Sequence, residues 1–536
     1  MKLRETAIVF CGFFALTVAL AAPLAFHVAD VGRIDNGDGQ FSIWNVAWVA
    51  HALTTDPRHV FDANIFYPRR WTLLYSETNL GAGLLATPVY GLTRNPYLAH
   101  NLVLLLTFAL NGTGSYALAF CLAGDRRAAF ISAIAFAFCP YAFAHIPHIQ
   151  LMMIAGIPWS LLAFHRLADD PTRARAVTLG LTMGLQTLFC GYYAVFVMLI
   201  VGFGVLTIAA ARGLWASRRY WSSVATAALV SVLLSLPVLL PYFTLQRATG
   251  FGRSLDDARS FSADWQAYLA SSSYAHAWML GLIGHWNEVL FPGFLLTGFG
   301  IAGLAAGWTA RGRLRETSIM YGALGGLAAW LSFGPRAGLY QLFYATIPGF
   351  TFLRAPARFG LVVALALSVL ASIAIARLLA RAARPMAVGA VLAVAAVAEL
   401  ATPLRFPRVP PVDAVYRALA ALPYGAVLEL PVYSPPFAFA RTRYMLGSTA
   451  HWMPLVDAYS DYIPPDFDAN AETLGFFPSE ESFALLRADG VRYALFHVDL
   501  YSEDARQSLA GRMQEFAPRL QKRFADERTW LYEIIP

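Results

Sequence analysis

The chain has 536 residues, of which 58% are hydrophobic and 14% charged. Soluble proteins are nearer a quarter charged, so this composition excludes an ordinary soluble globular chain and reads as a membrane protein. The net charge is +7, carried almost wholly by arginines scattered through short loops, with Lys2 and Lys522 the only lysines; without one basic patch, nucleic-acid binding is excluded too.

A spanning helix needs about 20 mostly apolar residues. In chain order such segments lie near 7–27, 97–122, 128–144, 151–167, 176–190, 194–210, 222–244, 291–308, 317–332, 359–376 and 386–401. The first follows Lys2 and Arg4. It is longer than the apolar core of a signal peptide, so it reads as an uncleaved span. Alternate connections carry Arg126 and Arg127; Arg173 and Arg175; Arg212, Arg218 and Arg219; Arg311, Arg313 and Arg315; and Arg377, Arg381 and Arg384. These share one side with Lys2 and Arg4, which the positive-inside rule makes cytoplasmic. The Ala- and Arg-rich, Lys-poor usage fits a bacterial chain in the cytoplasmic (inner) membrane. The opposite side receives loops 28–96, 245–290 and 333–358 and the tail from 402. Within the first loop, 80–92 is too short to span and suits an interfacial helix.

The tail changes character. "AVLELPVY", "RYALFHVD" and "WLYEII" read as strands. "SEESFALLRADG" and "SEDARQSLAGRMQEF" read as helices, the former with a Ser start and a Gly stop. The expected fold is a membrane all-α polytopic bundle of about eleven transmembrane helices over 1–401. An extracytoplasmic α/β domain follows over 402–536. Cys11, Cys121, Cys139 and Cys190 lie in or beside apolar runs with no ligand or disulfide spacing. Internal repeats and a phosphate-binding glycine loop are absent from the sequence.

The unusual polar residues cluster on the side opposite the basic loops. "RIDNGDGQFSIW" places Asp35 and Asp38 just after the first span. The same loop adds Asn64, Glu77 and Asn79; "AHIPHIQ" adds His145, His148 and Gln150; "CGYY" adds Tyr192 and Tyr193; "FLRAPARF" adds Arg354 and Arg358. Carboxylates suit a general base, arginines a phosphate, and aromatic rings a lipid or sugar. Blander roles compete. Asp35 and Asp38 also fit a turn, Tyr192 and Tyr193 an aromatic belt, and Arg354 and Arg358 headgroup anchors. His145 and His148 have i, i+3 spacing, but Pro147 between them argues against a regular helix, so a metal is not indicated. His285 and Glu288 read as structural, and Asp457 and Asp461 as solvated surface. Together the clusters fit transfer of a sugar from a lipid phosphate.

The stretches "GDGQFSIWNVAW", "FDANIFYPRRWTLLYSETNLG", "AHIPHIQ", "GYY" and "FLRAPARF" resemble a largely uncharacterised bacterial polytopic group. That group is placed with the GT-C superfamily of integral-membrane glycosyltransferases. The resemblance runs from about residue 30 to 365. It implies a polyprenyl-phosphate sugar donor, an envelope glycan, lipid or protein acceptor, and membrane lipids as surroundings. It also implies an acidic base in the first outer loop. Asp38 best matches that position, with Asp35 second; Glu77 and the His145, His148 and Gln150 group match other recurrent positions. Many members carry adjacent or x-spaced acidic pairs, whereas here two residues separate Asp35 from Asp38. No cofactor is expected. The competing expectation is a non-enzymatic membrane protein that binds or moves a lipid-linked glycan or scaffolds an envelope assembly.

Overall fold

Each segment expected to span is helical in the computed structural model, which describes residues 3–347 and 349–535. Lys2 lies outside the described residues. Helix makes up 69% of the chain. Among the described residues, seven helices are long and apolar enough to cross a membrane: Leu3–Leu20, Pro96–Ala123, Arg126–Ala144, Ile149–Asp169, Gly191–Arg212, Arg218–Thr249 and Pro356–Arg381. The chain is a multi-pass membrane protein. The other four expected spans fall short for visible reasons. Phe294–Trp308 and Pro385–Leu400 have 15 and 16 residues, and Arg173–Phe189 has 17. Arg313–Ser332 opens on Arg313, Arg315 and Glu316.

The chain divides into two compact units, one of Met1–Phe26 with Val103–Arg405, the other of His27–Leu102 with Phe406–Pro536. This differs from a single boundary after residue 401. The cause is local: residues 28–96 are a folded segment, not a loop. Asn36 caps the helix Gly37–Thr55 by accepting from the Gly39 N–H at 2.8 Å. That helix packs against Leu80–Thr93 and against Thr442–Gly447 in the tail. Backbone bonds join the same parts, Tyr67 N–H to the Leu455 carbonyl and Leu455 N–H to the Asn64 carbonyl, both at 2.9 Å.

The helical unit is organised around Gly360–Arg381, which packs on Phe294–Trp308, Arg313–Ser332 and Arg126–Ala137. In lipid the hydrophobic effect does not drive helix association, so close backbone approach through small residues matters more. Gly303 meets Gly360–Arg381 so closely that a Cβ there would lie 1.9 Å from the Leu370 carbonyl oxygen. Arg173–Phe189 and Arg218–Thr249 use the same device, with a Cβ on Gly180 falling 2.5 Å from the Ala227 carbonyl oxygen.

The mixed unit holds a four-stranded sheet of β1 (Ala426–Leu430), β2 (Val491–His497), β3 (Leu520–Ala525) and β4 (Thr529–Ile534) in the order β1-β2-β4-β3. β1 runs parallel to β2; the other pairs are antiparallel. β3 is disguised in the sequence because Gln521, Lys522 and Arg523 give it a polar run on the edge of the sheet. Asp457 corrects the expectation of a solvated surface: it is fully buried, in a core shared with Arg441 and Glu429. Burial raises its carboxyl to about 7, against the attraction of Arg441.

Candidate functional site

In the helical unit, prolines break the expected third span and its exit into short pieces, Arg126–Ala137, Pro140–Ala144 and Ile149–Met152. Such breaks expose backbone carbonyls, which are costly in an apolar setting unless paired. Three neighbouring helices supply the partners. Asn111 donates to the Met152 carbonyl at 2.8 Å, Gln186 to Met153 at 2.9 Å, and the Tyr193 hydroxyl to Leu151 at 3.1 Å. The segment carrying His145, His148 and Gln150 is thereby held from three sides.

His145 is 8% exposed. Its ring stacks on Tyr141 with centroids 4.0 Å apart, and its Nδ1 lies 2.8 Å from the Tyr141 carbonyl oxygen, which can only accept. Nδ1 is therefore the protonated nitrogen, and Nε2 faces the Glu288 carboxylate at 3.5 Å. The contact becomes an ion pair when the ring also carries the Nε2 proton. Burial alone would raise the Glu288 carboxyl; His145, the Val289 N–H at 3.0 Å and Arg358 outweigh it and hold the group down at about 2.

The same region contains both tyrosines of the Gly-Tyr-Tyr turn. Tyr193 is fully buried and its hydroxyl lies 3.1 Å from that of Tyr141, so it is an interior residue and not part of an aromatic belt. Arg358 places its guanidinium 4.6 Å from the centre of the Tyr192 ring, a cation–π contact. It also interacts electrostatically with Tyr141, Tyr193 and Glu288. Its Nη1 is buried with no hydrogen-bond partner among the described residues. Arg354 lies 5.0 Å over the Phe261 ring, and His148 has its ring 6.2 Å from that of His145. Gln150 is half-buried in the turn Ile149–Met152.

His145, Tyr192, Tyr193 and Arg358, expected from separate stretches, thus share one cluster. Glu288, read from the sequence as structural, belongs to it. Its signal was an acidic residue between the exposed Trp286 and the apolar start of a span. Chemically the cluster offers a guanidinium with an unused donor, phenols, and an imidazole backed by a carboxylate. Such a set suits a phosphate ester.

The remaining candidates lie in the mixed unit. Asp35 is exposed and paired with Arg33, with contacts of 2.8 and 3.2 Å. Asp38 sits half-buried in the first turn of Gly37–Thr55. The glycine after it is required: a Cβ on Gly39 would lie 1.9 Å from the Arg33 carbonyl oxygen. Glu77 is half-buried, its backbone carbonyl accepting from Asn45 at 3.0 Å. Asn79, 2% exposed with φ +52°, precedes the helix Leu80–Thr93. Asn64, expected as a substrate contact, lies inside the mixed unit. It is buried, accepts from the Trp44 indole at 3.2 Å, and donates to the Ser448 hydroxyl at 3.0 Å and the Met453 carbonyl at 3.1 Å. Both amide N–H groups are thus used inside the unit. Among the described residues no group of three or more His, Cys, Asp or Glu side chains is arranged to hold a metal ion.

No family model and no curated protein matches the sequence. Among solved structures, the chain is similar to the archaeal oligosaccharyltransferase AglB from Archaeoglobus fulgidus, in complex with an inhibitory peptide and a dolichol-phosphate. It is 14% identical to it, with 92% of this chain and 70% of that chain covered and a TM-score of 0.49. It is also similar to ArnT from Cupriavidus metallidurans bound to undecaprenyl phosphate, at 15% identity, 97% and 98% coverage and a TM-score of 0.48. At these scores the likeness assigns no role to any residue here.

Proposed function

We propose that the chain is a GT-C-type glycosyltransferase that moves a sugar from a polyprenyl-phosphate donor to an envelope acceptor at the outer face of the cytoplasmic membrane. The observation that carries this reading is Arg358. A buried guanidinium nitrogen without a partner, at the start of the apolar span Pro356–Arg381, is costly unless an anion meets it. A lipid phosphate supplies that anion at membrane depth, and the guanidinium binds it with directed hydrogen bonds. Tyr192, against the Arg358 guanidinium, gives the head group an aromatic wall. His145, held between the Tyr141 carbonyl and Glu288, fixes the floor of the same cluster.

In the proposed reaction the acceptor hydroxyl loses its proton to a carboxylate and its oxygen bonds the anomeric carbon. The bond from that carbon to the phosphate oxygen breaks, and the polyprenyl phosphate leaves with the electron pair. Stabilising that departing charge is the work proposed for Arg358. Asp38 is the proposed base, on the sequence resemblance; Asp35, tied to Arg33, is proposed to support the same region. The test is sugar transfer by purified protein in lipid, with a panel of polyprenyl-phosphate sugars, a membrane extract as acceptor, and Asp38→Asn alongside. Transfer by the native protein and none by a folded Asp38→Asn is expected. Normal transfer by the variant would remove Asp38 from the mechanism; donor binding with no turnover by either protein would favour a carrier.

A further inference from the structure

Two of the helices at expected spans are shorter than the hydrocarbon core of a membrane. Phe294–Trp308 has 15 residues and Pro385–Leu400 has 16. At 1.5 Å per residue each covers roughly 22–24 Å, against about 30 Å of hydrocarbon. Such a mismatch is met by local thinning of the bilayer, by flanking residues or by another part of the chain that faces lipid.

The segment before Phe294 is built across one end of both helices. The Glu399 carboxylate accepts from the N–H groups of Phe294 and Leu295, and so caps the shorter helix from its neighbour. His276, fully buried, lies 3.1 Å from Glu399, and the Tyr274 N–H donates to the Ala401 carbonyl at 3.0 Å. Leu290 and Phe291 return to the Ala267 and Ala270 carbonyls at 2.9 and 3.0 Å. The backbone is therefore pinned, yet it presents large apolar side chains outward: Tyr274 is 66% exposed, Trp278 60%, Leu282 77% and Phe294 52%. Trp278 stacks with Phe294, whose exposed face continues along the same helix to Ile301. Trp308, at the other end of that helix, is also exposed, three residues from Arg311. Tryptophan and tyrosine at both ends of an apolar helix are what the two headgroup regions select.

We propose that residues 274–294 lie within the membrane interface, Trp278 and Leu282 entering the acyl boundary, and complete the hydrophobic thickness that the two short helices lack. The occupant of this surface is lipid, and the segment is the one that carries Glu288 to His145. The inference stands apart from the sugar-transfer reading.

The test is nitroxide accessibility in full-length protein in phosphatidylethanolamine–phosphatidylglycerol vesicles. Leu282→Cys is labelled after Cys11→Ser and Cys121→Ser, leaving the buried Cys139 and Cys190. Gln507→Cys, on an exposed helix position, is the aqueous control. The nitroxide at 282 is expected to be relaxed by oxygen but several-fold less than the control by a water-soluble nickel chelate. Nickel access equal to the control would overturn the proposal, as would shielding from both reagents, which marks a protein cover. Should the cysteine variants misfold, native protein and Trp278→Phe are compared in vesicles of lipid brominated near the headgroup. Equal quenching of the two would overturn the proposal; weaker quenching in Trp278→Phe is expected.

Discussion

Glu288 meets His145 at 3.5 Å, between a connection and a broken helix that are remote in sequence, and the His145 ring is fixed from its other nitrogen by the Tyr141 carbonyl at 2.8 Å. The Glu288 carboxyl is held at about 2, below its ordinary 4.5, so the folded state favours its ionised form. That contribution is present above pH 4.5 and is lost as the pH falls toward 2. Glu288→Gln is expected to destabilise the helical unit by about 1–3 kcal/mol at pH 7, with the difference from native protein shrinking in acid. Thermal unfolding in lipid discs across the acid range measures it. A pH-independent difference would contradict the pairing.

Asn64 separates a structural role from substrate binding. Its side chain holds Trp44, Ser448 and Met453 together. Asn64→Ala leaves buried partners unsatisfied, at about 1–3 kcal/mol for such a group. Hydrogen exchange is expected to show loosening of Gly37–Thr55 and of the segment around Met453. An unchanged exchange pattern with weakened donor binding would return Asn64 to the site.

What could be read in advance follows from what a local pattern encodes. Length and hydropathy place helices at all the expected spans, and alternation with β-branched residues finds β1, β2 and β4. His145, Tyr192, Tyr193 and Arg358 were singled out because each lies near the end of an apolar run remote from the basic connections; that they share one cluster is a tertiary feature. The helix Gly37–Thr55 was not, because Asn36-Gly37-Asp38-Gly39 spells a turn as readily as a helix cap. In the fold the Asn36 side chain caps the helix through the Gly39 N–H. Asp457 misled because a lone carboxylate defaults to the surface; only the tertiary fold brings Arg441 and Glu429 around it.

Gly303 tests the packing of the central helix. Its Cβ would collide with backbone at Leu370, whereas Gly298 on the same helix faces open space. Gly303→Ala is expected to cost about 1–3 kcal/mol through overpacking, seen as a lowered Tm, with Gly298→Ala close to neutral. Equal Tm values would contradict the close approach.

Asp457 gives the mixed unit an opposite pH dependence. Its folded value near 7 exceeds its ordinary 3.8 because burial disfavours the charge. The protonated form is thus favoured by folding: its contribution is full below pH 3.8 and lost as the pH rises through 7. Relative to Asp457→Asn, native protein is expected to lose up to about 1.4 kcal/mol per pH unit across that window. Chemical unfolding of the two proteins between pH 4 and pH 8 reads the difference, and parallel curves would contradict it.

The central claim is that Arg358 awaits a lipid phosphate. The measurement that tests it most directly is binding of polyprenyl phosphate and of the uncharged polyprenol to the protein in lipid discs, with Arg358→Gln beside the native chain. The expected result is binding of the phosphate well above the alcohol, a preference of about 1.5–3 kcal/mol, or roughly 10–100-fold, for a hydrogen bond to a charged group, and its loss in a folded Arg358→Gln. Equal binding of phosphate and alcohol, or a preference that survives Arg358→Gln, would contradict the account.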